Sequence, residues 1–246
     1  VTTPVKKKST LKKSPTVGPT LTQDDIVYGH IFDAILEQRL PPNTKLNEEA
    51  LGEIFGVSRT IIRRALLRLS VEQIVKIRPN RGAIVAAPNV EEARQVLKAR
   101  EVLELAITEL AVEHATSEQI AKLRELVKEE HAAFDQGDVG RGIRLSGEFH
   151  IQLASMANNP PLLSFQRSIV SQTSLIIALY EVGNRGQCSF DEHNQLLDAI
   201  EAGETEKAVS LMRNHLGHIN AKLALDDEAI SSDLHAVFSD VVLKRR

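Results

Sequence analysis

Residues Val57–Leu69 read VSRTIIRRALLRL. Wound at 3.6 residues per turn, Ile62, Ala65, Leu66 and Leu69 fall at i, i+3, i+4 and i+7 and form one apolar stripe. Arg59, Arg63 and Arg64 lie largely off that stripe. Ser58 is placed to cap the N-terminus, because its hydroxyl accepts from a first-turn backbone N–H that has no partner inside the helix. The stretch predicts a short helix that buries one side and offers guanidinium groups on the other. Such a helix suits the major groove of DNA, where Arg pairs bidentately with guanine and also reaches phosphates. An ordinary amphipathic helix with a solvated basic face has the same pattern, so the surroundings have to decide.

Upstream, periodicity predicts a helix over 24–39 with Ile26, Val27, His30, Ile31, Ala34 and Ile35 on its buried side. LPPNTKL then makes a turn. Asn47 is placed to cap a second short helix through Ala50, Leu51 and Ile54, which Gly56 ends. A short helix, a turn at Gly56 and a helix capped by Ser58 make a helix-turn-helix. Downstream, the β-branched runs Ile74–Ile77 and Ala83–Ala86 flank RPNRG and predict a two-stranded wing with Arg78 and Arg81 at or beside its tip. Two cationic elements side by side favour DNA binding over a solvated face.

Charge is divided unevenly. Residues 1–88 hold 14 Lys+Arg and 8 Asp+Glu, whereas 89–246 hold 16 and 25, so a net charge of −3 conceals a basic front and an acidic rear. The front can approach a polyanion and the rear would be repelled by one. Residues 1–20 read as a disordered basic tail. The single Cys188 excludes an internal disulfide framework and suits a reducing compartment. The lysine-rich start lacks the apolar core of a secretory signal, and no uninterrupted apolar run approaches bilayer length. The expected location is the cytoplasm.

After Pro88, helical periodicity predicts six helices, over 90–114, 117–136, 138–158, 160–182, 189–202 and 204–225, and a further short one near Ser231–Leu243. The expected fold is mainly α: a winged helix-turn-helix over 21–88, an all-helical bundle over 89–228 and a tail over 229–246. A bundle of this size can enclose a cavity. His150, His193 and His215 fall on three different helices, from which neutral imidazoles can converge on a divalent metal. Three unrelated histidines fit the same pattern.

EQRLPPNTKLNEEALGEIFGVSRTIIRRALLRLSVEQIVKIRPNRGAIV resembles the winged helix-turn-helix of the GntR family of bacterial transcription regulators. The segments around KAREVLELAITELA, FHIQLASMANN, EHNQLLDAIEAGE and AVSLMRNHL resemble the FCD ligand-binding domain of its FadR-like branch. The first resemblance implies DNA contacts from Ser58, Arg59, Thr60 and Arg63, and from Arg78, Asn80, Arg81 and Gly82 in the wing. It departs from the family pattern at Asn43, which stands where the turn usually has Gly, at Ile61 and Arg64, and at Glu49, where some relatives carry a DNA-contacting Arg. Arg64 and Arg68 are left to phosphate or solvent.

The FCD resemblance implies a divalent metal, Zn or Ni, held by one Asp and three His. His150, His193 and His215 match the three His positions, but Ser146 occupies the Asp position, and a hydroxyl is a poor ligand beside a carboxylate. Glu148 points elsewhere on its helix. Two arrangements remain: the histidines hold a metal completed by water or effector, or the imidazoles and Ser146 bind an organic effector directly. A small carboxylate or a polar heterocycle, such as a purine or pyrimidine catabolite, fits as effector. Arg100 either clamps its anionic group or pairs with Glu104. Asn194 is a pocket or surface amide, and His218 a supporting or exposed group.

The expected function is a ligand-responsive regulator, not an enzyme, that binds a palindromic operator as a homodimer and is released by a small metabolite, with 90–114 and 160–182 offering apolar faces for pairing. The rivals are a histidine-metal hydrolase with a DNA-binding leader and an architectural DNA binder with a vestigial pocket. Against the hydrolase, the sequence has no HExxH, no Gly-rich nucleotide loop and no evident carboxylate to act as general base beside the histidines.

Overall fold

The computed structural model describes residues 21–78, 82–182 and 190–225. The basic tail, Asn80, Arg81, Cys188 and the segment Ser231–Leu243 lie outside the described residues. The order of elements is α1 (Gln23–Leu36), β1 (Lys45–Leu46), α2 (Glu48–Phe55), α3 (Arg59–Val71), β2 (Val75–Arg78), β3 (Gly82–Val85), α4 (Val90–His114), α5 (Ser117–Asp135), α6 (Val139–Met156), α7 (Pro160–Tyr180), α8 (Phe190–Glu201) and α9 (Thr205–Ala221).

The head, α1 to β3, is built as its local chemistry dictates. Thr22 and Asp25 close a capping box on α1. Asn47 Oδ1 accepts from the N–H groups of Glu49 and Ala50 at 2.8 and 3.0 Å. Gly56 takes the left-handed conformation (φ +64°) that ends α2 without a Cβ penalty. Ser58 Oγ accepts from Ile61 N–H and starts α3. Asn43 adopts φ +69°. Asn is among the few residues with a side chain that tolerate that region, which is why it can stand where the family uses Gly.

Ile62, Ala65, Leu66 and Leu69 are buried, as the stripe on α3 required, against Val27, Ile31 and Ile35 of α1 and Val75, Ala83 and Val85 of the sheet. The expectations for α1 and for the wing are corrected. On α1, Ile26 is exposed and so is His30, which stacks on Phe55 at 5.9 Å. The core stripe there is narrower, through Val27, Ile31, Ala34 and Ile35, and Ile26 and His30 sit about 100° round from it. The helix also ends at Leu36, short of residue 39. On α2 no residue is fully buried and Ile54 is exposed, because α2 leans on α3 at the edge of the head. The wing has a third strand: β1 pairs antiparallel with β3 through Lys45↔Ile84 and Leu46↔Ala83, giving the order β1-β3-β2. Two residues are too few for a period-2 pattern to show.

The body, α4 to α9, is an all-helical bundle whose breaks fall within a residue or two of those expected, with one exception. Residues 222–225 are not helical. Leu223 bridges Glu181, and Ala224 N–H donates to Tyr180 O at 2.9 Å, so the chain after α9 is held by the end of α7. The main core joins Ile107 and Ala111 of α4 to Phe149 and Leu153 of α6, Leu196 and Leu197 of α8, and Met212 and Leu216 of α9. By length and composition α7 is the one described helix apolar enough to cross a membrane. It instead packs against α4 and α6 and reaches α1 of the head.

The head is seated on the body by named contacts. Arg144 Nε of α6 meets Glu37 Oε1 at 3.0 Å. Gly140 lies so near that a Cβ there would be 2.7 Å from Glu37 O. Ser168 Oγ of α7 donates to Glu72 O at 3.2 Å, and Leu175 of α7 belongs to the head's own apolar cluster. Tyr180 OH donates to Pro88 O at 2.9 Å.

Leu69 is wholly buried and Leu67, two residues away, is largely exposed. Leu69→Ala is expected to cost about 2–5 kcal/mol of stability through lost transfer energy and a residual cavity, and Leu67→Ala no more than ~0.5 kcal/mol. Urea denaturation of both variants checks the contrast.

Candidate functional site

The body contains a cluster of polar groups where an apolar core would be expected. His150 of α6, His193 of α8 and His215 of α9 are 1%, 0% and 2% exposed. Each offers a ring nitrogen, and these atoms all lie within 4.8 Å of one another. His150 Nε2 and His215 Nε2 are 3.3 Å apart. Phe149 stacks on the His193 ring at 3.9 Å and fixes its plane.

Each Nδ1 is held by a carboxylate. Glu104 Oε2 of α4 is 2.5 Å from His150 Nδ1, Glu130 Oε2 of α5 is 2.9 Å from His193 Nδ1, and Glu192 Oε2 of α8 is 2.8 Å from His215 Nδ1. Sequence offered no evident carboxylate as a general base beside the histidines; the three that stand there are all on the side of the rings away from the shared centre. A carboxylate on Nδ1 fixes the tautomer with the proton there and turns the Nε2 lone pair inward. His193 Nε2 is buried and has no partner. Burial pushes His150 down to about 4 and His215 down to about 3, with Glu104 and Glu192 respectively opposing the shift. Both imidazoles are therefore neutral at pH 7. Neutral, inward-facing, carboxylate-braced Nε2 atoms at this spacing fit a divalent metal, and such a donor set suits Zn or Ni better than Mg or Ca.

Glu104 carries a second partner. Arg100 Nε donates to Glu104 Oε1 at 2.6 Å, with both side chains buried. Burial alone would raise the Glu104 carboxyl, but the Arg100 charge and His150 together hold it well below the usual carboxylate range. Arg100 thus makes the pair with Glu104 and also lines a cavity with Ser146 and His150. That cavity, between α4, α6 and α7, brings three of the five expected effector residues together. Gly147 keeps it open, since a Cβ there would come 3.0 Å from Val170 Cγ1 on the facing helix. Glu148 points away and accepts from Gln152. Asn194 is half-buried beside His193 and does not line this cavity. His218 is exposed, yet its Nδ1 meets Glu192 Oε1 at 2.5 Å, so it shares the carboxylate that braces His215.

The bracing carboxylates were missed, although a signal existed. Glu104 falls on the same stripe as Arg100, Ile107, Thr108 and Ala111, and Glu130 continues the stripe through Leu123 and Val127. An acidic residue on an apolar stripe has to find a buried partner.

In the head, Ser58, Arg59, Thr60 and Arg63 are exposed on the outer side of α3, and Arg78 and Gly82 are exposed where the wing turns. The two recognition-helix arginines carry partners that sequence did not reveal. Arg59 Nη2 meets Glu49 Oε1. Arg63 Nη2 meets Glu48 Oε2 at 2.7 Å. Arg68 stays exposed but lies across its own head. It pairs with Asp25 at 2.7 Å and lies 4.3 Å over the Tyr28 ring.

Two family matches partition the chain as the geometry does. Residues 23–85 match the bacterial regulatory proteins of the gntR family, and residues 95–218 match the FCD domain. The chain belongs to the GntR family, with an FCD body. Among curated relatives it is 26% identical over 207 residues to the HTH-type transcriptional regulator LutR of Bacillus subtilis, covering 75% of this chain and 94% of that protein. It is 26% identical over 193 residues to the Uxu operon regulator of Haemophilus influenzae, covering 72% of each. Among solved structures, Escherichia coli McbR/YncC superposes with a TM-score of 0.74 at 23% identity, covering 82% of this chain and 97% of that one. A putative GntR regulator from Rhodococcus sp. RHA1 gives 0.69 at 24% identity, covering 81% and 96%. The chain is a GntR-type transcription regulator: its family binds DNA through the head, and FCD domains bind small effectors and can bind metal.

Replacing Glu104 by Ala leaves the Arg100 guanidinium buried and unpaired. The expected cost is about 3–5 kcal/mol of stability, read by urea denaturation.

Proposed function

We propose that this regulator is a homodimeric, ligand-responsive repressor that sits on a palindromic operator and is released when a small metabolite enters the cavity beside the histidines. The head, 21–88, supplies the DNA contacts: Ser58, Arg59, Thr60 and Arg63 from α3 in the major groove, and Arg78, Asn80, Arg81 and Gly82 from the wing along the backbone. The body, 89–228, supplies the pocket and the pairing surface. Val102 on α4 and Phe165 on α7, both largely exposed, lie on the two helices whose apolar faces favour pairing. The family's place of work is the cytoplasm.

One observation carries the regulatory reading. Helices α6 and α7 hold both the pocket and the head. The first bears Ser146 and His150 and also Arg144, which grips Glu37. The second lines the cavity with Val170, Thr173 and Ser174, and also contributes Ser168 and Leu175 to the head. A ligand that changes the separation of α6 and α7 therefore tilts the head, and with it the spacing of two recognition helices in a dimer. The effect on operator affinity is limited to the ligand's difference in affinity for the two tilts.

His150, His193 and His215 would hold one divalent metal, Zn or Ni, through Nε2. The ion would supply a fixed positive charge and open coordination positions for an anionic effector. Ser146, one turn from His150, contributes a hydroxyl to the cavity in place of a fourth anionic ligand. Glu104, Glu130 and Glu192 orient the imidazoles. Because each is committed to a ring Nδ1, none is offered as a general base at the centre, which favours a sensing site over a hydrolytic one.

Arg63→Ala is expected to abolish selective operator binding while the circular dichroism spectrum and the dimer mass stay unchanged. An unaltered footprint on an operator selected from random duplexes refutes the recognition assignment. His193→Ala combined with His215→Ala is expected to remove bound metal, read by elemental analysis, and to make operator affinity insensitive to effector, with basal binding retained. A normal effector response in the double variant places the sensing pocket elsewhere.

A further inference from the structure

The cavity beside the histidines has walls of opposite hydrogen-bonding character. On the α4 side stands the Arg100 guanidinium, which can only donate; His150 of α6 has its proton on Nδ1, towards Glu104, and its Nε2 lone pair is the one committed to the ion in the metal reading. The α7 side has the reverse character. Thr173 Oγ1 donates its hydrogen to Ile169 O at 2.8 Å, and Ser174 Oγ donates to Val170 O at 3.3 Å. Both hydroxyl hydrogens are thus committed to the helix backbone, and what these two lining residues have left to offer is lone pairs. At the end of α7, Glu181 lines the same cavity, and its Oε2 is buried with no hydrogen-bond partner. A buried carboxylate oxygen left unpaired is costly. The backbone around Glu181 is tied on both flanks: Ala224 N–H donates to Tyr180 O at 2.9 Å, and Val182 N–H donates to Lys222 O at 3.0 Å.

A plain carboxylic acid would satisfy the Arg100 side and leave three acceptors facing apolar atoms. A ligand with an acceptor at one end and N–H donors at the other satisfies both walls. From this we propose that the effector is a small carboxylate bearing an ammonium, ureido or ring N–H group, and that Glu181, with Thr173 and Ser174, reads those N–H groups. The proposal rests on the effector reading above and narrows it from carboxylates and heterocycles in general to N–H-bearing acids. A site built to accept from an N–H rejects the analogue that lacks it, since its own acceptors are then stranded.

Calorimetric titration of the full chain tests this, both metal-free and loaded with Zn²⁺. The probes are isosteric pairs: β-alanine with butyrate, 4-aminobutyrate with pentanoate, and N-carbamoylglycine with levulinate. In at least one pair the N–H-bearing member is expected to bind tenfold or more tightly than its isostere. Glu181→Gln, which keeps the shape and removes the charge, is expected to bring that preference below threefold for an ammonium probe, and Thr173→Val to weaken it for all three. Equal binding within every pair, no binding of any probe, or a preference untouched by both substitutions overturns the proposal. Failure of Zn²⁺ itself to bind overturns the metal reading instead, and the comparison on the metal-free chain then decides the N–H reading by the same criterion.

Discussion

Glu104 lies in the middle of the bundle with a guanidinium on one carboxylate oxygen and an imidazole on the other. A carboxylate in that position is tolerable only because both oxygens are answered, and the answer reaches outward in two directions. Through His150 it orients one of three imidazoles around a shared centre. Through Arg100 it fixes a cation at the wall of the adjoining cavity. Remove that one group and a charge is stranded, an imidazole loses its tautomer, and the cavity loses its anion-facing edge. The remaining two histidines repeat the device with Glu130 and Glu192, so the site is a ring of three imidazoles held from behind by three carboxylates.

The arrangement places polar groups where a bundle of this size would otherwise put leucine. The apolar core closes around it, with Phe149 stacked on His193 and Met212 and Leu216 beside His215 on α9. Stability thus comes from the surrounding packing, while the braced cluster provides position. Rigid imidazoles suit the sensing role proposed above, in which occupancy is felt at a distance. The distance is short here. Four residues separate His150 from Ser146, and two more reach Arg144, whose side chain grips the head.

At the DNA face a similar economy holds. The arginines on the recognition helix are exposed, but α2 supplies Glu48 and Glu49 as partners in the free protein. Solvated pairs of this kind exchange readily for phosphate. Under the DNA contacts proposed for Arg59 and Arg63, these pairs neutralise the basic face until a polyanion replaces them.

The sequence alone determined the local structure: the stripe that buries Ile62, Ala65, Leu66 and Leu69, the caps at Asn47 and Ser58, the stop at Gly56 and nearly every helix break in the body. Each depends on neighbours within a few residues, and so does the pattern that tied the chain to its family. It also singled out His150, His193 and His215, though not what surrounds them. Only the tertiary structure decided that Glu104, Glu130 and Glu192 stand behind those rings, that Lys45 and Leu46 add a strand to the wing, that residues 222–225 leave the helix to join α7, and that Arg68 pairs with Asp25 of α1. Every one of these joins residues far apart in the chain or facing a neighbour that periodicity does not name. Buried charge is satisfied wherever the fold brings a partner, and no spacing along one helix records which partner that will be.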